Sequence, residues 1–132
     1  DYIIMDTSPS LGGLQERALY AADYVIVPTA TDFLSADAVA ETIATMNANV
    51  NYGWKGRLFG ILPTFYDEVT NESKATMNDL IDIYGAQVLE EIHRATILRS
   101  CSAEGKTIWE VEPTSRSGKE YANVIYRILE LA

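Results

Sequence analysis

Residues Tyr2 to Pro28 read YIIMDTSPSLGGLQERALYAADYVIVP, and the character of the fold is written in this run. A short apolar stretch, Tyr2 to Met5, leads into Asp6, as a buried strand leads into a turn. Pro9 and the pair Gly12–Gly13 then break the chain, a helical pattern follows from Leu14 to Ala22, and a second buried strand, Tyr24 to Val27, stops at Pro28. An acid at the end of a buried strand is where phosphate-transferring folds hold the water shell of Mg²⁺. It needs a phosphate-binding loop beside it.

That loop is sought in vain. The stretch Ser100 to Thr107, SCSAEGKT, ends like the pattern G-x-x-x-x-G-K-[ST], but Ser100 stands where its first glycine belongs. No buried strand precedes it and no helix start follows it, so backbone amides would have nothing to aim them at a phosphate. The match is a decoy.

The rest of the chain alternates in the same way. A helix is expected from about Ser35 to Asn49, capped by Ser35 or Asp37, with Ala38, Ile43 and Met46 inward. Asn49 to Gly56 makes a turn, Arg57 to Leu62 a third strand ended by Pro63, and Thr70 to Tyr84 an amphipathic helix closed by Gly85. Met77, Leu80, Ile81 and Tyr84 are its inward residues. Gln87 to Leu89 reads as a short fourth strand, Ile92 to Thr107 as irregular chain with one helical turn, and Ser117 to Leu131 as a terminal helix. Buried strands alternating with helices give an α/β fold, a parallel sheet with helices on both faces, in a single domain over residues 1–132.

Composition narrows the function. The 132 residues are 48% hydrophobic, enough for one core, and carry a net charge of −9. That sign argues against nonspecific contact with DNA or an anionic membrane. A single cysteine, Cys101, excludes an internal disulfide and a multi-cysteine metal site, and suits a reducing, cytoplasmic setting. No apolar run reaches the ~18 residues of a membrane span. The chain starts at Asp1, almost inside its first strand, and is expected to be a piece of a longer protein.

Taken together, the motifs resemble the ParA/MinD group of deviant-Walker ATPases, and within it the ParA (Soj-like) partitioning proteins. The family's strand-Asp-x-x-Pro-Ser-Leu-Gly pattern is met by Asp6, Pro9, Ser10, Leu11 and Gly12. Its Ala-Leu-x-Ala-Ala-Asp, strand and proline are met by Ala18, Leu19, Ala21, Ala22, Asp23 and Pro28. Its strand end Gly-Ile-Leu-x-Thr-x-Tyr-Asp is met by Gly60 to Leu62, Thr64, Tyr66 and Asp67. The loop before the last helix aligns through Ile92, Arg94, Leu98, Gly105 and Lys106, which explains the decoy, and the closing motif through Pro113, Ser115, Gly118 and Tyr121. The resemblance runs in order over essentially the whole chain.

It implies the C-terminal portion of such an ATPase: an incomplete P-loop NTPase fold that lacks its phosphate loop and the strand leading to it. In the family that strand lies between the one ending at Asp6 and the one at Tyr24 to Val27, so the sheet is expected to close differently or to pair with a second chain through residues 2–5. By resemblance, Asp6 is the catalytic acid and holds Mg²⁺ through water. Thr7, Pro9 and Gly12 belong to the γ-phosphate switch, while Thr64, Ile92, His93 and Arg94 line the adenine pocket. The implied cofactors are ATP and Mg²⁺ for the parent protein; whether this chain binds either alone stays open. The implied partners are a second copy, in an ATP-dependent dimer, and a ParB-like protein, in chromosome or plasmid partitioning. The corner after Asp67 continues Glu68, Val69, Thr70, without the arginines that support DNA binding in the family, and no basic tail supports membrane docking.

The sequence departs from the family at His93, where proline is usual, at Ala95 for an Asn or Asp, and at Ser100 for a glutamate. Without the phosphate-loop amides and lysines the chain alone is not expected to hydrolyse ATP. Two other readings stand beside this one: a synthase of the cobyrinic-acid a,c-diamide type on the same superfold, and a non-catalytic interaction remnant.

Overall fold

The structure, a computed structural model, describes residues 1–7, 13–32 and 35–131. Its elements are α1 (Gly13–Ala21), β1 (Tyr24–Ala30), α2 (Ser35–Asn51), β2 (Arg57–Thr64), α3 (Asn71–Tyr84), α4 (Thr96–Glu104), α5 (Ile108–Val111) and α6 (Arg116–Leu129), with a 3₁₀ turn, Gly85–Gln87, after α3.

β1 and β2 pair in parallel from Tyr24↔Arg57 to Ala30↔Thr64. The register jumps between Val25↔Leu58 and Ile26↔Gly60, so Phe59 is an extra residue on β2. That bulge resets the alternation of the strand and lets both faces be filled. On one face Val27, Val39, Ile61 and Leu80 form a core that joins the sheet to α2 and α3. On the other Leu62, Leu89, Ile92 and Val124 join it to α6, with Leu98 of α4 alongside. The expected parallel sheet with helices on both faces is therefore present.

Both strands run on past the prolines expected to end them: Pro28 pairs with Leu62, and Pro63 with Thr29. The consequence falls on the outer edge of β2. There Leu89 donates its N–H to the Ile61 carbonyl at 2.8 Å, and Ile92 donates to the Pro63 carbonyl at 2.8 Å. Pro63 has no N–H to return on that edge. The incoming chain advances by three residues instead of two, and the expected strand Gln87–Leu89 is reduced to a 3₁₀ turn and an isolated bridge, Ile61↔Val88.

Other expectations are corrected. Residues Tyr2 to Met5 are not a strand: Ile3 and Ile4 are 90% and 91% exposed, and among the described residues no strand lies along the far side of β1 to receive them. A strand needs a neighbour for its backbone groups and a face to bury, and here it has neither. Among the described residues the sheet is not closed in another way. Val39 rather than Ala38 anchors α2, and Ile81 of α3 faces solvent while Ser73, Thr76 and Leu80 point inward. Leu14, which the helical pattern places on one face with Ala18 and Ala21 or Ala22, is exposed on α1. The stretch read as irregular holds α4 and ends at the cap of α5. In it the decoy GKT resolves into a helix end and a helix start. Gly105, at φ 65°, closes α4 in the left-handed conformation, and Thr107 caps α5 in a reciprocal box with Glu110. The Thr107 backbone N–H, and then its hydroxyl, hold the Glu110 carboxyl below its usual range.

Leu89 packs close over Gly60. A Cβ there would stand 2.6 Å from Leu89 Cγ and Cδ2 and 3.0 Å from the Gln87 carbonyl oxygen. Gly60→Ala is expected to lower stability by about 1–3 kcal/mol in urea unfolding, because the buried Leu89 has nowhere to retreat. Ile3→Ser is expected to change it by less than about 0.5 kcal/mol.

Candidate functional site

Beyond Thr64 the chain turns through Phe65, which has φ 54°, the sole positive φ of a residue other than glycine among those described. For a bulky side chain this conformation costs on the order of 1 kcal/mol and is found chiefly where the surroundings impose it. Here the imposing partner is the segment after Leu89. Tyr66 donates its N–H to the Ile92 carbonyl at 3.1 Å, and Arg94 donates to the Tyr66 carbonyl at 2.9 Å. The left-handed step at Phe65 lets β2 skip a residue and stay in register with its neighbour.

Both extensions end at a cleft of about 240 Å³ whose walls include Tyr66, Asp67, Glu68, His93, Arg94 and Arg116. It sits at the C-terminal end of the parallel strands, where open α/β sheets bind ligands. A second cleft, of about 280 Å³, lies at the opposite end of β2 between Ile43, Met46, Trp54 and Leu58, with none of the candidate site residues in its lining.

The corner is fixed from below by a single hydroxyl. Ser73 Oγ lies 2.6 Å from Thr31 Oγ1 and accepts the Asp67 N–H at 2.9 Å. Thr70 caps α3 through Ser73 N–H, and Asp67 Oδ1 accepts from Val69 N–H at 2.9 Å. The end of β1, the corner and the start of α3 therefore share one buried polar centre, placed on α3 where the helical period first meets the sheet.

Above the corner a charged network closes one wall. Glu120 of α6 accepts the His93 backbone N–H through Oε2 at 3.0 Å, and its Oε1 lies 2.8 Å from His93 Nδ1. Arg116 donates from Nε to Glu120 Oε1 at 2.9 Å, and its Nη2 lies 2.6 Å from His93 Nε2. Glu68 lies 3.5 Å from Arg116 Nη1 and 3.8 Å from His93 Nε2, and the Tyr66 ring meets the imidazole edge-on at 4.9 Å. Burial, and then the Glu120 charge, push the Tyr121 phenol above its usual range.

Among the residues singled out by sequence, His93 and Arg94 line the cleft. Ile92 is buried beneath it, in the core against α6. Thr64 does not face it by hydrogen bonding; its hydroxyl donates to the Thr29 carbonyl at 3.1 Å, across β1 and β2. Asp6 and Thr7 lie in the exposed segment before α1, and Pro9 and Gly12 lie outside the described residues. Among the described residues no group of three His, Cys, Asp or Glu side chains is arranged to hold a metal. A Mg²⁺ held through water by one carboxylate and by phosphate oxygens needs no such group, and Asp6 fits that requirement in kind. Glu120 and Ser73 were not found by sequence reasoning. The signal for the first was the i, i+4 pair Arg116/Glu120 at the head of an amphipathic helix.

Comparison with known proteins gives this geometry a context. A virulence-plasmid ParA family protein, pGP5-D, of Chlamydia psittaci is 33% identical over 134 residues, covering 97% of this chain and 49% of the relative. The chromosome-partitioning ATPase Soj of Thermus thermophilus is 30% identical over 131 residues, covering 98% and 53%. The chain is ParA-like. It spans about half the length of the curated relatives it matches. A family model described as an AAA domain matches residues 1–54. The ParA-like chain shares its fold with Cyanothece McdA, both without ligand and as an ATP complex of a D38A variant. Each superposes with a TM-score of 0.74 at 13% identity over 83% of this chain, and over 46% and 44% of McdA respectively. No helix among the described residues is long and apolar enough to cross a membrane.

Ser73→Ala removes one group and strands two. It is expected to lower stability by about 1–3 kcal/mol, since the Thr31 hydroxyl and the Asp67 N–H lose their partner in a buried place. Urea unfolding with Thr76→Ser as a control reads this; a loss below about 0.5 kcal/mol would mean that water takes over the role of Ser73.

Proposed function

We propose that this chain is the base-binding half of a ParA-like partitioning ATPase, and that the cleft above β2 receives the adenine end of ATP. One observation carries the reading: the cleft at the C-terminal end of the strands is lined by His93 and Arg94, in the segment that the family resemblance assigns to the base. Tyr66 and the two arginines offer a base an aromatic wall and cationic edges. Ile92 and Thr64 hold the two chain ends that carry these side chains, from the core and from the strand pair.

In this reading Thr7, Pro9 and Gly12 form the switch that answers to the γ-phosphate, and Asp6 is the acid that holds Mg²⁺ through water. When bound, Mg²⁺ and ATP supply the phosphoryl chemistry. The residues of this chain grip the base, keep the corner rigid and present the acid. Nucleotide-dependent dimerisation, a ParB-like partner and a cytoplasmic location belong to the same proposal. For the chain alone, hydrolysis is not expected, because the amides and lysines that stabilise phosphoryl transfer are not among its residues.

Titration of the ¹⁵N-labelled chain with ATP and Mg²⁺, followed by amide spectra, tests this. With only the base held, a dissociation constant of about 1 mM is expected, near −4 kcal/mol. The shifts should gather at Tyr66, His93, Arg94 and Arg116. Arg94→Ala is expected to weaken binding about fivefold, a loss of about 1 kcal/mol. Shifts confined to the opposite cleft, or no saturable change, would overturn the assignment.

A further inference from the structure

The contacts of His93 fix where its proton sits. Arginine has donors and no acceptor, so the 2.6 Å contact from Arg116 Nη2 requires an unprotonated Nε2 on the imidazole. The proton of a neutral His93 is then on Nδ1, donated to Glu120 Oε1 at 2.8 Å. Glu120 is itself held in place by the His93 backbone N–H at 3.0 Å and by Arg116 Nε at 2.9 Å. Three groups thus lock one another. Arg116, whose side chain is 57% exposed, is the one that reaches the cleft mouth.

The lock has a second arrangement built into it. A proton arriving on Nε2 would meet the Arg116 guanidinium at hydrogen-bond distance, donor against donor. An alternative acceptor is at hand, since Glu68 Oε2 lies 3.8 Å from Nε2. The charged groups around the ring are Glu120 and Arg116 from α6, Glu68 and Asp67 from the corner, and Arg94 on the segment of His93; Tyr66 is the titratable ring against it. Within the network that touches it, two carboxylates face one guanidinium, so an imidazolium completes the neutralisation.

We propose that His93 is the positioning residue for Arg116 in the cleft: neutral, it accepts from Arg116 and holds it against the wall; protonated, it turns its Nε2–H to Glu68 and releases Arg116 into the cleft. The step is a protonation: the Nε2–H bond forms as an O–H bond of hydronium breaks and leaves water, and one N–H···N contact is exchanged for an N–H···O⁻ contact. Its bearing on ligand binding rests on the nucleotide reading above. The released guanidinium, free of one partner, is an added cation for an anionic ligand at the cleft mouth.

His93 is the single histidine of the chain, which makes the decisive measurement unambiguous. Long-range ¹H–¹⁵N spectra of the ligand-free protein read the tautomer directly. At pH 8 the proton is expected on Nδ1, with Nε2 bare; a proton on Nε2 would overturn the proposal. As His93 takes up a proton on acidification from pH 8, exchange of the Arg116 Nη2 hydrogens, which face His93 Nε2, should speed up about tenfold, the factor carried by one charge-assisted hydrogen bond. In His93→Gln, which is neutral throughout, that pH dependence should vanish. An Arg116 signal that ignores pH in the wild type, or that changes equally in His93→Gln, contradicts the mechanism. ATP–Mg²⁺ titrations at pH 5.5 and 8 form a separate arm. If the ligand-free signatures appear and ATP does not bind at either pH, the positioning role stands and the nucleotide reading falls.

Discussion

Everything at the cleft depends on the outer edge of β2. Four backbone hydrogen bonds run along it, from Leu89 to Ile61, Ile92 to Pro63, Tyr66 to Ile92 and Arg94 to Tyr66. The first two join buried residues, where an unpaired N–H or C=O is costly. Pro63 interrupts the regular ladder by withholding an N–H, and the left-handed Phe65 restores the register one step later. The two irregularities compensate each other. Together they bring Tyr66 and His93 side by side at the strand end, which a regular ladder would not do.

The interior follows from the same strand. The bulge at Phe59 allows β2 to contribute Ile61 to one core and Leu62 to the other, so α2 and α3 are tied to α6 through adjacent residues. Glycine at position 60 lets Leu89 lie directly over the strand, and Leu89 starts the segment that reaches His93. The other half of the expected site is arranged differently. Asp6 and Thr7 belong to a segment with exposed isoleucines, on the side of a sheet where, among the described residues, β1 has no further neighbour. In physical terms the wall at His93 and Arg94 is built by contacts internal to the chain, whereas residues 1–7, which carry Asp6, are exposed throughout.

How much of this the sequence discloses depends on how local the cause is. β1, β2 and the long helices were legible because each carries its own period and its own caps, as with Thr70 and Gly85 around α3. Tyr2 to Met5 was misread because an apolar run signals burial without saying what will cover it. The prolines misled for a similar reason: whether a missing N–H stops a strand depends on what faces that N–H, which is a tertiary fact. Arg94 was marked by the motif, and His93 by its place beside it, although proline is usual there. Glu120 was not, since its role exists only once α6 crosses the end of β2, 27 residues away in sequence from His93. Ser73 was hidden because a hydroxyl on a helix face looks like a solvent residue until it meets Thr31.

The account stands on the preformed edge of β2, and hydrogen exchange of the ligand-free chain tests it most directly. The amides of Tyr66, Leu89, Ile92 and Arg94 are expected to exchange with those of β2, as one slowly opening unit, while Ile3, Ile4 and Met5 exchange without protection. Fast exchange at Leu89, Ile92 and Arg94 beside a slow β2 would show that the cleft is not held by that edge, and would contradict the account at its centre.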